Sequence, residues 1–176
     1  AVRPANAFLA DLPPGALVAD LGAGAGSNIA YLRAHGGAAL RWRHVDADPG
    51  LIAIARQRFA GIESIEFAEL DLAQELPAAL AGAAGVTCAA LVDLVSAAWI
   101  DGFVAALARL RLPALIALTY DGRMDWSPRH PDDGVVAAAF HRDMVRDKGF
   151  GPALGPAAAR HLATRLREAG ALVETK

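Results

Sequence analysis

One cysteine, Cys88, is present in the whole chain. It excludes an internal disulfide and points to a reducing compartment, the cytoplasm. No apolar run is long enough to span a bilayer, so a membrane is not an expected partner. The first residues lack the charged, apolar and small-residue pattern of a secretory signal. Charge of one sign is lacking as well, since 17 Lys and Arg against 19 Asp and Glu leave a formal net charge of −2. With no basic excess to follow a phosphate backbone, nucleic acid is not an expected partner either. The five histidines show no metal-ligand spacing, so no metal is expected. The chain begins at Ala1 rather than at methionine, as a trimmed chain would.

What is present is apolar residues, 55% of 176, with 20% charged. That suits a single domain over residues 1–176 with a sizeable core. Apolar runs alternate with helical periods. Residues 4–11 read as a short helix. Strands are expected at 16–21, 39–45, 65–70, 86–95 and 113–120. Helices are expected at 27–34, at 99–110, and after Asp48, whose carboxylate caps a helix with Pro49 in its first position. The run 86–95 is apolar except for Thr87 and Asp93, as a strand buried on both faces would be. This alternation predicts an α/β fold, a doubly wound and mainly parallel sheet with helices on both faces. Ligands of such sheets lie past the carboxyl ends of the strands.

The first strand ends in VADLGAGAGSN. Gly22, Gly24 and Gly26 follow Asp20 at every second position, where only a bare backbone suits a close approach. The second strand ends in HVDADP, with Asp46 twenty residues after Gly26. A carboxylate there suits the two hydroxyls of a ribose. The third ends in AELDL, where Asp71 can accept from an adenine amino group. Three successive strand ends thus describe an adenosine site. The dinucleotide fingerprint wants its third glycine one residue later, where Ser27 stands. Asp20 would repel a pyrophosphate and suits an ammonium or sulfonium instead.

The segment from Asp20 to Gly26 resembles motif I of the class I, Rossmann-like S-adenosylmethionine-dependent methyltransferases. VDADPGLIAIAR resembles the second motif of that family, and ELDL its third. The resemblance runs from about residue 18 to about residue 121. It implies S-adenosyl-L-methionine as cofactor and assigns roles by position. Asp20 with Gly22, Ala23, Gly24 and Gly26 would hold the methionine moiety. Asp46 would hold the ribose, Ala47 would lie on the adenine, and Asp71 with Leu72 would read the adenine edge. Asp93, expected at the end of the fourth strand, would lie near the transferring methyl. The family's sheet closes with a sixth strand and an antiparallel seventh. Residues 171–175 are the candidate sixth; the seventh is either outside this sequence or absent from the fold. No Asn-Pro-Pro-Tyr motif follows the fourth strand, which argues against amino groups of nucleobases or glutamine as acceptors.

The expected function is a methyltransferase acting on a small-molecule acceptor by direct displacement from the sulfonium. Such a transfer requires alignment and exclusion of water before it requires a base. No catalytic residue is fixed by the pattern; Asp93, Tyr120, Asp121 and His141 are candidates by position. Three alternatives remain: an NAD(P)-dependent Rossmann oxidoreductase, a polyamine synthase-like transferase whose Gly-Gly-Gly-Asp-Gly loop is absent here, and a catalytically idle S-adenosylmethionine-binding module. Residues 121–151 read as an insertion. They hold a polar loop with Trp126, then a helix carrying Val136, Phe140 and Met144 on one face. A lid or substrate element is expected there, with Tyr120, Trp126 and His141 facing the acceptor.

Overall fold

β1 (Leu17–Leu21) is buried along its whole length, as a strand flanked on both sides must be. A computed structural model describes residues 2–117 and 120–175 of the chain. β1 pairs in parallel with β2 (Arg41–Asp46) and with β4 (Gly85–Ala89). β2 pairs with β3 (Ile65–Glu69), and β4 with β5 (Ala114–Ala117), again in parallel. The order is β3-β2-β1-β4-β5, the doubly wound arrangement the alternation predicts. The described residues fall into two compact units. One lies within 1–89 and 109–117, the other within 90–108 and 118–176.

The first unit holds the whole sheet, with α1 (Val2–Ala10), α2 (Ser27–Ala34), α3 (Pro49–Arg58) and α4 (Leu76–Leu80). Its core gathers Leu9, Val18, Ile29, Leu32, Trp42 and Phe59. Trp42 is fully buried, and its indole N–H donates to the Gly37 carbonyl at 3.0 Å, so the ring brings no unpaired donor into the core. α3 starts as expected, with Asp48 accepting from Gly50 and Leu51 and Pro49 in the first turn. Arg43 ties β2 to its neighbours. It donates to Glu66 on β3 at 2.6 Å and to the Ala79 and Ala81 carbonyls at 3.1 and 2.6 Å, satisfying the C-terminal end of α4.

The second unit contains most of α5 (Ala97–Leu110), with α6 (Asp133–Met144) and α7 (Ala158–Glu168). Asp101 on α5 accepts from His161 and Arg165 of α7 at 3.0 and 2.8 Å. Trp99 stacks on Phe103 and meets Phe150 edge-on. The Leu154 N–H donates to the Val95 carbonyl at 2.9 Å. No helix among the described residues is long and apolar enough to cross a membrane.

The structure differs from the expectations at several points. The fourth strand ends at Ala89, not at residue 95, because Ala90 adopts φ 55 and breaks the extended chain. Asp93 therefore sits in a short turn of 3-10 helix, not at a strand end. The run stays apolar because Leu91, Val92 and Val95 are buried without being strand, a case apolar content alone cannot separate. α4 was not expected; at five residues it is too short to show a helical period. The face of α6 that reads as apolar is mostly open, with Val136 and Phe140 exposed and only Met144 buried. Residues 171–175 form no strand, and Leu172 is almost wholly exposed. Of the expected fifth strand, Ala114–Ala117 is strand among the described residues, and residues 118 and 119 lie outside them.

Candidate functional site

The glycine loop leaves the carboxyl end of β1, the central strand. Gly22, Gly24 and Gly26 have φ of 62, 54 and 81, a region that L side chains enter only with strain. Gly26 is required by packing, since a Cβ there would lie 2.4 Å from the Phe59 ring. Gly24 is different: a Cβ there would meet nothing within 4 Å. The space over Gly24 is open, as a cradle for a ligand needs.

Asp20 is only 1% exposed. Its Oδ1 accepts from Asn28 Nδ2 at 2.6 Å and from Thr87 Oγ1 at 2.7 Å. Its Oδ2 is buried with no partner among the described residues. Burial pushes the carboxyl up to about 6, the Thr87 and Asn28 hydrogen bonds oppose this, and the charge of Asp46 adds to it. A buried carboxylate oxygen without a donor fits a ligand that brings a positive charge.

Asp46 ends β2 beside the loop. Its Oδ2 accepts the Gly24 N–H at 2.7 Å, and its Oδ1 accepts the Asp48 N–H at 2.9 Å. Each oxygen keeps a further lone pair for a ligand hydroxyl. Ala47 is exposed next to it. The Asp46 carbonyl accepts the Leu70 N–H at 3.0 Å, which brings the segment after β3 to the same edge. There Asp71 is half-buried and turned into local contacts, accepting from the Ala73 N–H and from Gln74 Nε2, both at 2.9 Å. Leu72 beside it is 4% exposed. So Asp20, Gly22, Ala23, Gly24, Gly26, Asp46, Ala47, Asp71 and Leu72 all line the carboxyl-end edge of β1, β2 and β3 within one unit.

The second unit holds the other candidates. Asp93 is 6% exposed, and its Oδ1 has no partner among the described residues. Burial raises its carboxyl above the ordinary range, against backbone hydrogen bonds from Asp93 itself and from Tyr120. Tyr120 Oη lies 2.7 Å from His141 Nε2, which is also 3.2 Å from the Gly122 carbonyl. Burial, with the charge of Asp121, raises the Tyr120 phenol. Asp121 is occupied by Arg123, which donates to it from Nε at 2.7 Å and holds its carboxyl low. Trp126 lines a cavity of about 180 Å³ with Met124, Asp125, Arg129 and Asp133. Among the described residues no group of His, Cys, Asp and Glu is arranged to hold a metal.

Three polar residues around Asp20, namely His44, Thr87 and Asn28, escape a reading of strand ends. His44, Asp20 and Thr87 are register partners across β2, β1 and β4, and all three are buried. Asn28 reaches Asp20 from α2. Only the alternation on β2, which puts His44 on the same face as Asp46, could have drawn attention to one of them.

The methyltransferase domain family matches residues 18–113. Solved structures share the fold at low identity. An O-methyltransferase family protein from Burkholderia thailandensis is 20% identical with a TM-score of 0.65; the alignment covers 98% of this chain and 50% of that protein. The cyclopropane synthase MmaA2 from Mycobacterium tuberculosis is 13% identical with a TM-score of 0.64, covering 96% and 59%. Human N-acetylserotonin methyltransferase, solved in complex with S-adenosylmethionine, is 18% identical with a TM-score of 0.57, covering 96% and 46%. The chain therefore spans only about half the length of these proteins. No match to a protein of curated function is found at the sequence level. The fold is that of the class I methyltransferases, whose cofactor is S-adenosylmethionine. The chain belongs to the methyltransferase domain family.

Proposed function

We propose that the chain binds S-adenosylmethionine along the carboxyl ends of β1, β2 and β3 and transfers its methyl to a small-molecule acceptor by direct displacement. One observation carries the reading: Asp20 Oδ2, buried and unpartnered among the described residues, precedes an open glycine loop whose Gly24 N–H is held by Asp46. The bound cofactor supplies an electrophilic methyl on a positively charged sulfur. Asp20 balances positive charge at the methionine end, and the backbone of residues 22–26 packs against that end. Asp46 accepts from the ribose hydroxyls with the lone pairs its backbone contacts leave free. Asp71 and Leu72 take the adenine edge. If the acceptor must lose a proton, Asp93 and the Tyr120–His141 pair are the candidate bases, because Asp121 is already engaged by Arg123. Residues 121–151, with the cavity beside Trp126, serve acceptor recognition within a single domain.

The printed activities of the similar structures differ, from an O-methyltransferase family protein to a cyclopropane synthase, so the fold leaves the acceptor open. Calorimetry with S-adenosylmethionine, S-adenosylhomocysteine and NAD tests the cofactor. Micromolar binding of the first two and none of NAD is expected. Asp46→Ala should weaken S-adenosylhomocysteine at least tenfold, a loss on the order of 1.5–3 kcal/mol for hydrogen bonds to a charged acceptor. Unchanged affinity would remove Asp46 from the site. Labelled methyl donor with metabolite pools then finds the acceptor. Tight cofactor binding without turnover on any pool would favour an idle binding module.

A further inference from the structure

His44 is fully buried under the glycine loop, and its Nε2 lies 2.7 Å from the Gly24 carbonyl. A carbonyl only accepts, so Nε2 carries the proton and donates. Nδ1 is then an acceptor, and it has no partner among the described residues. His44 and Asp46 stand two apart on β2 and share a face. Between them they hold both polar groups of the loop's central residue: Asp46 takes the Gly24 N–H and His44 takes the Gly24 carbonyl. The Ala23 N–H is tied to β2 as well, through the Val45 carbonyl at 2.9 Å.

The peptide after Gly24 is trans, so its C=O and N–H point to opposite sides. With the carbonyl turned down to His44, the N–H of Ala25 is turned up, away from the core. Stability does not account for the imidazole. A fully buried ring nitrogen without a partner is unfavourable, and an apolar side chain of similar size would fill the place without it.

We propose that His44 is a positioning residue of the cofactor site, which by gripping the Gly24 carbonyl sets the plane of the Gly24–Ala25 peptide and aims its N–H at the bound cofactor. This rests on the cofactor reading above. The role calls for a donor at Nε2 and for nothing at Nδ1.

Three variants test it. His44→Gln carries an amide N–H at about the reach of Nε2. The amide of His44→Asn reaches only the place of Nδ1, and His44→Leu carries no donor. Three measurements apply to each: S-adenosylhomocysteine affinity by calorimetry, unfolding midpoint in urea, and amide exchange of Gly24 and Ala25 by NMR in the free protein. His44→Leu and His44→Asn should bind S-adenosylhomocysteine at least about fivefold more weakly, the effect of one lost hydrogen bond. Their Gly24 amide, held by Asp46 in the wild type, should exchange faster. His44→Gln should bind within about twofold of the wild type. Equal affinity of the Gln and Asn variants overturns the proposal, and so does a folded His44→Leu that binds like the wild type. A wild-type chain that takes no S-adenosylhomocysteine overturns the cofactor reading instead. Amide exchange then still decides whether His44 holds the loop, and unchanged exchange in His44→Asn denies it that role.

Discussion

Asp20→Asn removes one ionisation from the centre of the sheet and almost nothing else. The amide keeps an oxygen for the Thr87 and Asn28 donors and occupies the same volume. In the wild-type chain burial raises this carboxyl from an ordinary 3.8 to about 6. The folded state therefore holds the proton more tightly than the unfolded chain. Stability from this group is fully present below 3.8 and is lost as pH rises through about 6. At about 1.4 kcal/mol per pKa unit, the loss is about 3 kcal/mol between pH 4 and pH 7. The variant lacks this dependence. It carries a constant penalty instead, about 1–3 kcal/mol, for amide hydrogens at the unpartnered position of Oδ2. The signature is thus the swing with pH and not the offset. Urea unfolding at pH 4, 5, 6 and 7 should show Asp20→Asn gaining on the wild type by about 3 kcal/mol across the series, at constant m-value. A difference that stays flat over those pH values would refute the reasoning, because the carboxyl would then titrate alike in both states. Binding reads the same group from the other side. A cofactor bearing positive charge favours ionised Asp20, so wild-type affinity should rise with pH through about 6, and Asp20→Asn should show no such rise.

The two further glycine and loop predictions separate fold from function. Gly26→Ala should lower the free energy of unfolding by about 1–3 kcal/mol, because its Cβ meets the buried Phe59 ring. Gly24→Ala has open space and should lose only the strain of its positive φ, about 1–2 kcal/mol, while binding S-adenosylhomocysteine poorly. Normal binding by a folded Gly24→Ala would remove the cradle. Trp126→Ala should lower turnover of an acceptor found by screening and leave S-adenosylhomocysteine affinity unchanged. Limited proteolysis should cut within residues 121–134 of the free chain and cut less when both ligands are present. Equal cleavage together with normal turnover would leave the insertion without an acceptor role.

How much of this was legible in the sequence follows from what kind of signal each feature emits. β1, β2 and β3 stand within about two residues of their expected limits, because apolar runs bounded by turn residues define short buried strands well. Asp48 and Pro49 mark the start of α3 through local hydrogen bonding, which sequence encodes directly. The end of β4 was hidden, because Ala90 carries no sign of its positive φ and the residues after it are as apolar as the strand. α6 has the apolar stripe that periodicity predicts, and its exposure is a property of tertiary packing that periodicity does not encode. Asp46 was found from spacing, yet its hold on the Gly24 N–H was not, nor was His44 under the carbonyl. Both are contacts between a strand face and a loop twenty residues away, which no local pattern records.

The strand order gives the two ends of the proposed cofactor unequal foundations. Asp20 stands on β1, laddered on both sides, whereas Asp71 follows β3, which stands at one end of the order with a single ladder. Segments held by fewer bonds open at lower free energy than those at the centre of a sheet. In the proposed placement the amino-acid end of the ligand would meet a strand laddered on both sides, and the base end a segment that follows a strand laddered on one. Engineering should feel this asymmetry. Cofactor analogues enlarged on the adenine should be accommodated by changes at the half-buried Asp71 at less expense to the fold than analogues altered at the amino acid, which would require rebuilding the middle of the sheet.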